Sequence, residues 1–398
     1  MGRRPFDHSK HKRRHIALKI LYFGWDYDGL AAQTENENTV EFHLFHAFTS
    51  ACLIESRDKC GYNRCGRTDK GVSSYGQVVN LSVRSNLINE DDPNNVGLFT
   101  PEGYTGPATS DGSEVELNYV NMINCLLPEH IRALAWSPVK SDFSARFSCQ
   151  ERSYSYIFPA GDLCIESMQQ SLPHLIGEHD FRNLCSFDLK HGVTNHKRTI
   201  ISASIREVEP ANASVDKSKF YSFFEVIIVG QAFLYHQIRC IMTVLFLIGS
   251  GKERPDIFSK LLDLELCPAR PNYNRASPAP LCLFDCKYNP ESLPSGWIYN
   301  HGVLENLIRQ LRQLWCKYKT KSMMIEHVLF DLEGSCVHGS TPDDGRHTRR
   351  PRIESKNTWK DFGIECDNMS DKKYTPLTER PRDETLEIKL ENLRRKQT

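Results

Sequence analysis

The sequence predicts an α+β protein whose sheets are mainly antiparallel. Strand-like and helix-like segments recur in two halves of similar size, and they do not alternate strictly as strand and helix. With 398 residues, 39% of them apolar, the chain is long enough for two domains plus tails.

The elements follow in order. "HIALKILYF" (15–23) alternates, with Ile16, Leu18, Ile20 and Tyr22 on one face, and reads as a strand. Thr39 can cap a helix whose apolar positions fall at Val40, Leu44, Phe48 and Ala51 or Cys52. "GQVVNLSVRS" (76–85) is a second strand. Residues 86–115 are rich in Asn, Asp, Pro, Gly and Ser and read as an inserted, mobile loop. A helix near 116–126, ended by Pro128, and a strand near Ile131–Trp136 complete the first half.

The second half has strands at "RSYSYIF" (152–158), "IISASIREV" (200–208) and "FYSFFEVIIVG" (220–230). Helices are expected near 166–176, over the apolar run 233–249, and after Pro255. "LCLFDCKY" (281–288) is apolar on both faces, which places it centrally in a sheet. A helix near 301–318 closes the ordered part, and beyond about 331 the chain is polar and broken by Gly and Pro. The reading is thus a basic arm (1–14), a half at 15–140 with an acidic insertion (86–115), a half at 141–330, and a largely disordered tail (331–398) in which "YTPLTERPR" can dock.

Formal net charge is zero, yet its distribution is uneven. Residues 1–20 carry seven Lys/Arg against one Asp, whereas residues 86–118 carry seven Asp/Glu and no Lys/Arg. The basic arm can contact phosphates or simply be solvated. The N-terminus lacks the apolar core of a secretory signal, and no apolar run reaches the ~18 residues of a membrane span. Fourteen cysteines in such a chain read as reduced thiols, with nucleus and cytoplasm the expected location. The pairs Cys60/Cys65 and Cys282/Cys286 have no clear second ligand pair, so no metal is expected.

The chemistry concentrates in "RCGRTDKGVSS" (64–74), where one carboxylate stands among cations between Gly66 and Gly71. The glycines allow a sharp turn and close approach of a ligand. An arginine beside Asp69 is expected to hold its pKa low, by ~1–3 units, which suits a nucleophile better than a general acid. Lys70 and Arg64 are then free for phosphates. Spacing alone is met equally by an Arg–Asp pair that merely secures a surface turn.

The same stretch resembles the "GRTD-x-GV" motif of the TruA-type tRNA pseudouridine synthases. "FSARFSCQERSYSYIF" (143–158), "GEHDFRNLCSFD" (177–188) and "GQAFLYHQIRC" (230–240) resemble three further segments of that family, in its order. The similarity runs from about His15 to Tyr288, and its wording is nearest the eukaryotic branch that modifies positions 38 and 39 of the tRNA anticodon arm. The resemblance implies a pseudouridine synthase fold of two ferredoxin-like halves sharing an extended sheet. It also implies isomerisation of uridine to pseudouridine, no cofactor, a tRNA partner bound at its anticodon stem-loop, and a homodimer.

By the same resemblance Asp69 is the catalytic aspartate, Tyr154 stacks on the target base, Arg239 pairs with the aspartate, and Arg67 displaces and holds the flipped nucleotide. The residues fit those roles. An extruded base needs a π face, a gap-filling cation and an anion near its sugar. Tyr154 and Tyr156 share a strand, and one of them is expected in the core. A buried Arg239 needs a carboxylate partner, and Asp69 is the candidate. His236 could touch RNA or form a hydrogen-bonded edge of the core. Asp180 and Arg182 are an RNA-facing pair or a cap. Cys65 lacks an activating His nearby and is set aside as a nucleophile. Two departures from the family pattern are Ser73, where many bacterial members have His, and Leu30, where an aromatic is usual. The rival readings are the same reaction at other tRNA positions and an inactive tRNA-binding protein.

Overall fold

The computed structural model describes residues 6–106, 115–188, 192–208, 221–337 and 374–395. They fall into two units, one of residues 1–299 with 364–398 and one of residues 300–363.

In the first unit the strands are β1 (Arg13–Tyr22), β2 (Asn63–Arg64), β3 (Ser73–Arg84), β4 (Leu98–Phe99), β5 (Ile131–Pro138), β6 (Cys149–Pro159), β7 (Gly177–Asp180), β8 (Lys197–Glu207), β9 (Phe223–Gly230) and β10 (Leu281–Tyr288). They form one sheet ordered β4-β1-β3-β10-β6-β9-β8-β7, with β2 on β3 and β5 on β1. The predicted α+β fold with a mainly antiparallel sheet is therefore present. The parallel pairing is β10 on β3, through Cys282↔Ser73 and Leu283↔Ser74. β10 also runs antiparallel to β6, so the strand predicted to be central joins the two halves of the sheet.

Helix α1 (Val40–Ser50) starts where expected, with Thr39 Oγ1 accepting from Phe42 N at 3.4 Å. α2 (Tyr119–Asn124) packs on β5. In the second half α3 (Ile165–Ser171) packs on α4 (Gln237–Gly249), and α5 (Ile257–Leu262) follows. In α4 every residue except Arg239 is buried. Each such Ile, Leu or Phe contributes about 1.5–3 kcal/mol, so the helix is a rigid support for what its N-terminus presents.

Three expectations need correction. The acidic insertion is ordered through residue 106 because it meets the basic arm. Lys12 pairs with Glu90 at 2.6 Å, Arg14 with Glu116 at 3.0 Å, and β4 pairs with β1. Residues 107–114 lie outside the described part. The helix predicted to end near 318 runs on as α6 (His301–Val337), which belongs to the second unit. No Gly or Pro interrupts it between Gly302 and Gly334. The tail is ordered over 374–395 rather than disordered, and "YTPLTERPR" (374–382), the stretch expected to dock, lies against the rest of the first unit. Leu377 is fully buried and its N–H donates to Glu253 at 2.6 Å. Pro381 O accepts from Asn272 N, and Asp383 N donates to Arg270 O, each at 2.9 Å. α7 (Leu386–Arg395) follows, and its Glu387 pairs with Arg182 at 3.1 Å.

Candidate active site

The motif loop is built from buried hydrogen bonds. Gln77, fully buried on β3, donates to Gly66 O at 2.8 Å. Tyr22 OH and Thr68 Oγ1 share a hydrogen bond of 2.7 Å, and Leu30 N donates to Thr68 O at 3.1 Å. Leu30 is fully buried, so the aliphatic side chain fills its site. Asp69 to Val72 then close a turn, Val72 N donating to Asp69 O at 3.1 Å. Gly71 holds the third position of that turn with φ +80°, a conformation that costs any L residue energy. Gly66 has no such torsion, and a Cβ there would meet open space. Ser73 Oγ accepts from Gly24 N at 2.9 Å and is buried.

Asp69 is thereby lifted to the surface of the sheet with its side chain 22% exposed. It faces His236, whose Nε2 lies 3.4 Å from Asp69 Oδ2. His236 caps α4 in the left-handed region, φ +62°. Its Nδ1 lies 2.6 Å from Arg275 Nη1 and 3.0 Å from Ser186 Oγ. A guanidinium can only donate, so Nδ1 is the acceptor and the ring proton sits on Nε2, toward Asp69. Burial, with Arg275 and Arg239 nearby, presses the His236 pKa down to about 3, so the ring is neutral at physiological pH.

Asp69 titrates opposite to expectation. Burial raises its pKa to about 6, against the lowering influence of Arg239 and Arg275. A sequence shows the arginines but not the water that the fold removes from the carboxylate. Nor does Arg239 take Asp69 as its direct partner. Its Nε donates to Ala276 O at 2.7 Å, and Ala276 N donates back to Arg239 O at 3.2 Å. This exchange fastens the 270–276 segment, which also carries Arg275, to α4. Among the described residues Asp69 has His236 at ion-pair distance and the two arginines as nearby charges.

Tyr154 lies on β6 opposite Leu283 of β10, which in turn lies opposite Ser74 of β3. The Tyr154 backbone is therefore level with Ser74, at the end of the motif, and two strand spacings away, roughly 10 Å. The ring is partly buried, edge-on to Phe233 at 5.0 Å. Tyr156 is the core member of the pair, its OH donating to Ser277 O at 3.0 Å. Arg67 is exposed on the motif loop. Tyr235, 47% exposed, stacks on His236 with ring centroids 3.5 Å apart. The site thus offers a carboxylate, two guanidinium groups and the exposed ring of Tyr235, groups chemically suited to holding a nucleotide.

Two predicted phosphate contacts are already engaged. Arg64 pairs with Glu41, a fully buried carboxylate that also accepts from Tyr62 OH at 2.9 Å. Lys70 pairs with Asp28 at 2.6 Å, although its side chain is 79% exposed. Such an exposed pair is worth ~0–1 kcal/mol and opens readily; the buried one is not free. Asp180 and Arg182 form an ion pair at 2.8 Å, with Arg182 N also donating to Asp180 Oδ1. Arg275, Gln77 and Ser186 were missed. Arg275 sits in a Pro- and Asn-rich loop without periodicity, and the other two carry no pattern of their own.

A family model described as tRNA pseudouridine synthase matches residues 172–289. Over 395 residues the chain is 39% identical to a Mus musculus protein named tRNA pseudouridine(38/39) synthase, covering 98% of this chain and 78% of that one. A Homo sapiens protein of the same name is 38% identical over 402 residues, with 99% and 79% covered. Its Saccharomyces cerevisiae namesake is 43% identical over 293 residues, with 72% and 60% covered.

Proposed function

The chain belongs to the tRNA pseudouridine synthase family, and from that premise we propose that it isomerises uridine to pseudouridine at positions 38 and 39 of the tRNA anticodon arm. The observation that carries the mechanism is the partly open Asp69 carboxylate, raised on the Gly71 turn that leads into β3, two strands from the one that bears Tyr154.

The target nucleotide leaves its stack at a cost of a few kcal/mol. Arg67, exposed beside Asp69, enters the gap and contacts phosphate. Tyr154 supplies the π face for the base, worth ~1–3 kcal/mol. With a pKa of about 6, Asp69 is mostly ionised above neutral pH. It attacks C1′ of the ribose or assists loss of uracil to a glycal. Either way the N1–C1′ bond breaks, the uracil turns in place, and C5 bonds to C1′, displacing the Asp69 carboxylate in the first route and with the proton lost from C2′ returned in the second. C5 then gives up its proton and N1 gains one, so atoms and electrons balance without a redox partner. His236 holds its Nε2 3.4 Å from the carboxylate, and Arg239 and Arg275 favour the ionised form of Asp69.

A homodimer is the expected assembly, and α6 supports it. Leu304, Ile308, Leu311, Trp315, Tyr318, Ile325, Leu329 and Leu332 repeat at alternating spacings of four and three, broken only at Ser322. Such a heptad seam pairs with a second helix. Trp315, Ile325 and Leu332 in it are exposed. Free thiols are consistent with the expected location in nucleus and cytoplasm.

The test maps pseudouridine in tRNAs from cells lacking the protein, complemented by wild type or Asp69→Ala. Loss at 38 and 39 in the null, restored only by wild type, is expected. Unchanged modification in the null refutes the positions, and rescue by Asp69→Ala refutes the mechanism.

A further inference from the structure

We propose that Cys65, Cys149 and Cys286 form a binding site for one thiophilic d10 cation, with the buried Arg152 as its counter-charge. The three sulfur atoms lie within 4.8 Å of one another, and all three residues are buried. Three thiolates around zinc, at about 2.3 Å each, stand about 3.8 Å apart. Closure therefore requires movements of about 1 Å or less.

The bland alternative is that three small cysteines merely fill a core, as they often do. Arg152 argues against it. The guanidinium is buried, and it donates to Cys65 O at 3.2 Å, Arg146 O at 2.7 Å and Cys149 O at 3.5 Å, and to Gln231 O. Every one of these acceptors is a neutral carbonyl. Among the described residues no carboxylate pairs with it. A buried cation without an anion is costly, and the groups able to face this one with negative charge are the three thiols and Tyr154. A metal-bound thiolate cluster supplies the missing charge.

Binding displaces thiol protons, including the one Cys149 directs at Glu151 O over 3.3 Å, and needs no oxidant. A divalent ion with three thiolates carries one net negative charge, which Arg152 cancels; this favours Zn(II). The absence of a fourth His, Cys, Asp or Glu among the described residues favours three-coordinate Cu(I). Both are d10 ions of the same chemistry. The cluster draws one ligand from the motif loop, one from β6 and one from β10, so it leaves no spacing signature in the sequence. It would tie together the segments that carry Asp69 and Tyr154, and it stands or falls independently of the reaction.

The test uses the full chain with exposed Cys125, Cys164 and Cys316 changed to Ser, reduced and stripped of metal. Co(II), as a stand-in for Zn(II), is titrated in one arm; Cu(I), against a chromophoric chelator and without oxygen, in the other. One equivalent is expected in at least one arm, with an intense thiolate-to-cobalt charge-transfer band if the site takes divalent ions. Cys286→Ala and Cys149→Ala should weaken binding at least a hundredfold, while Cys282→Ala, on the same strand but outside the cluster, should leave it unchanged. Should the alanine variants fail to fold, the unsubstituted cluster still decides. No thiolate-to-cobalt band and no Cu(I) retained against the chelator overturns the proposal, as does binding that survives in folded Cys286→Ala.

Discussion

Replacing Asp69 by Asn should abolish turnover and make the protein more stable, by an amount that depends on pH. Burial raises the Asp69 pKa from 3.8 to about 6. At 1.36 kcal/mol per pH unit this is about 3 kcal/mol, an upper figure because 22% of the side chain meets water. The folded pKa lies above the unfolded one. The carboxyl therefore favours the folded state fully only below about pH 4, and that contribution is lost as pH rises through about 6. Asn does not titrate. The stability difference, Asn minus Asp, should be about 1–3 kcal/mol larger at about pH 7.5 than at about pH 4. Urea unfolding of both proteins at the two pH values measures it, and the comparison between pH values cancels any fixed effect of the amide. A difference that does not change with pH, or that shrinks as pH rises, means that Arg239 and Arg275 balance or outweigh burial and that water reaches the carboxylate.

Catalysis should show the same group. kcat/KM is expected to fall below about pH 6 as Asp69 takes up its proton, and Arg275→Ala should move that limb to higher pH because a charge favouring the carboxylate is gone. A pH–rate profile of tRNA modification reads both. Gly71→Ala places a Cβ at φ +80° and 3.2 Å from Pro278 Cγ. A loss of about 1–2 kcal/mol in stability or transition-state binding is expected, measured by unfolding and by kcat/KM. Tyr154→Phe keeps the π face and should bind tRNA near wild-type strength, whereas Tyr154→Ala should lose about 1–3 kcal/mol in single-turnover kinetics.

Where local pattern decides structure, the sequence was readable. Thr39 announced α1, and the two-sided apolar character of residues 281–288 announced a central strand. The motif loop, His236 and Arg239 do meet at one place, because the loop leads into β3 and α4 presents its N-terminus there. Charges were read less well. Whether Arg64 is free depends on Glu41, 23 positions away, and whether Lys12 is free depends on Glu90, 78 positions away. The Asp69 pKa is set by how much water the fold removes, a quantity no short segment contains. Arg275 is held at the site by the mutual bonds of Ala276 and Arg239, by Thr243 with Asn274, and by its own contact with His236.

The strand that joins the halves, β10, is the last of the ten to be synthesised. On the ribosome, β1–β5 and β6–β9 can each begin to collapse, but β6 and the Ser73–Ser74 end of β3 keep a bare edge until residues 281–288 emerge. Exposed edges of that kind invite pairing with the wrong neighbour, and closure over such long sequence separations is slow. Nascent chains of this protein should therefore depend on chaperones most in the interval before that final strand arrives.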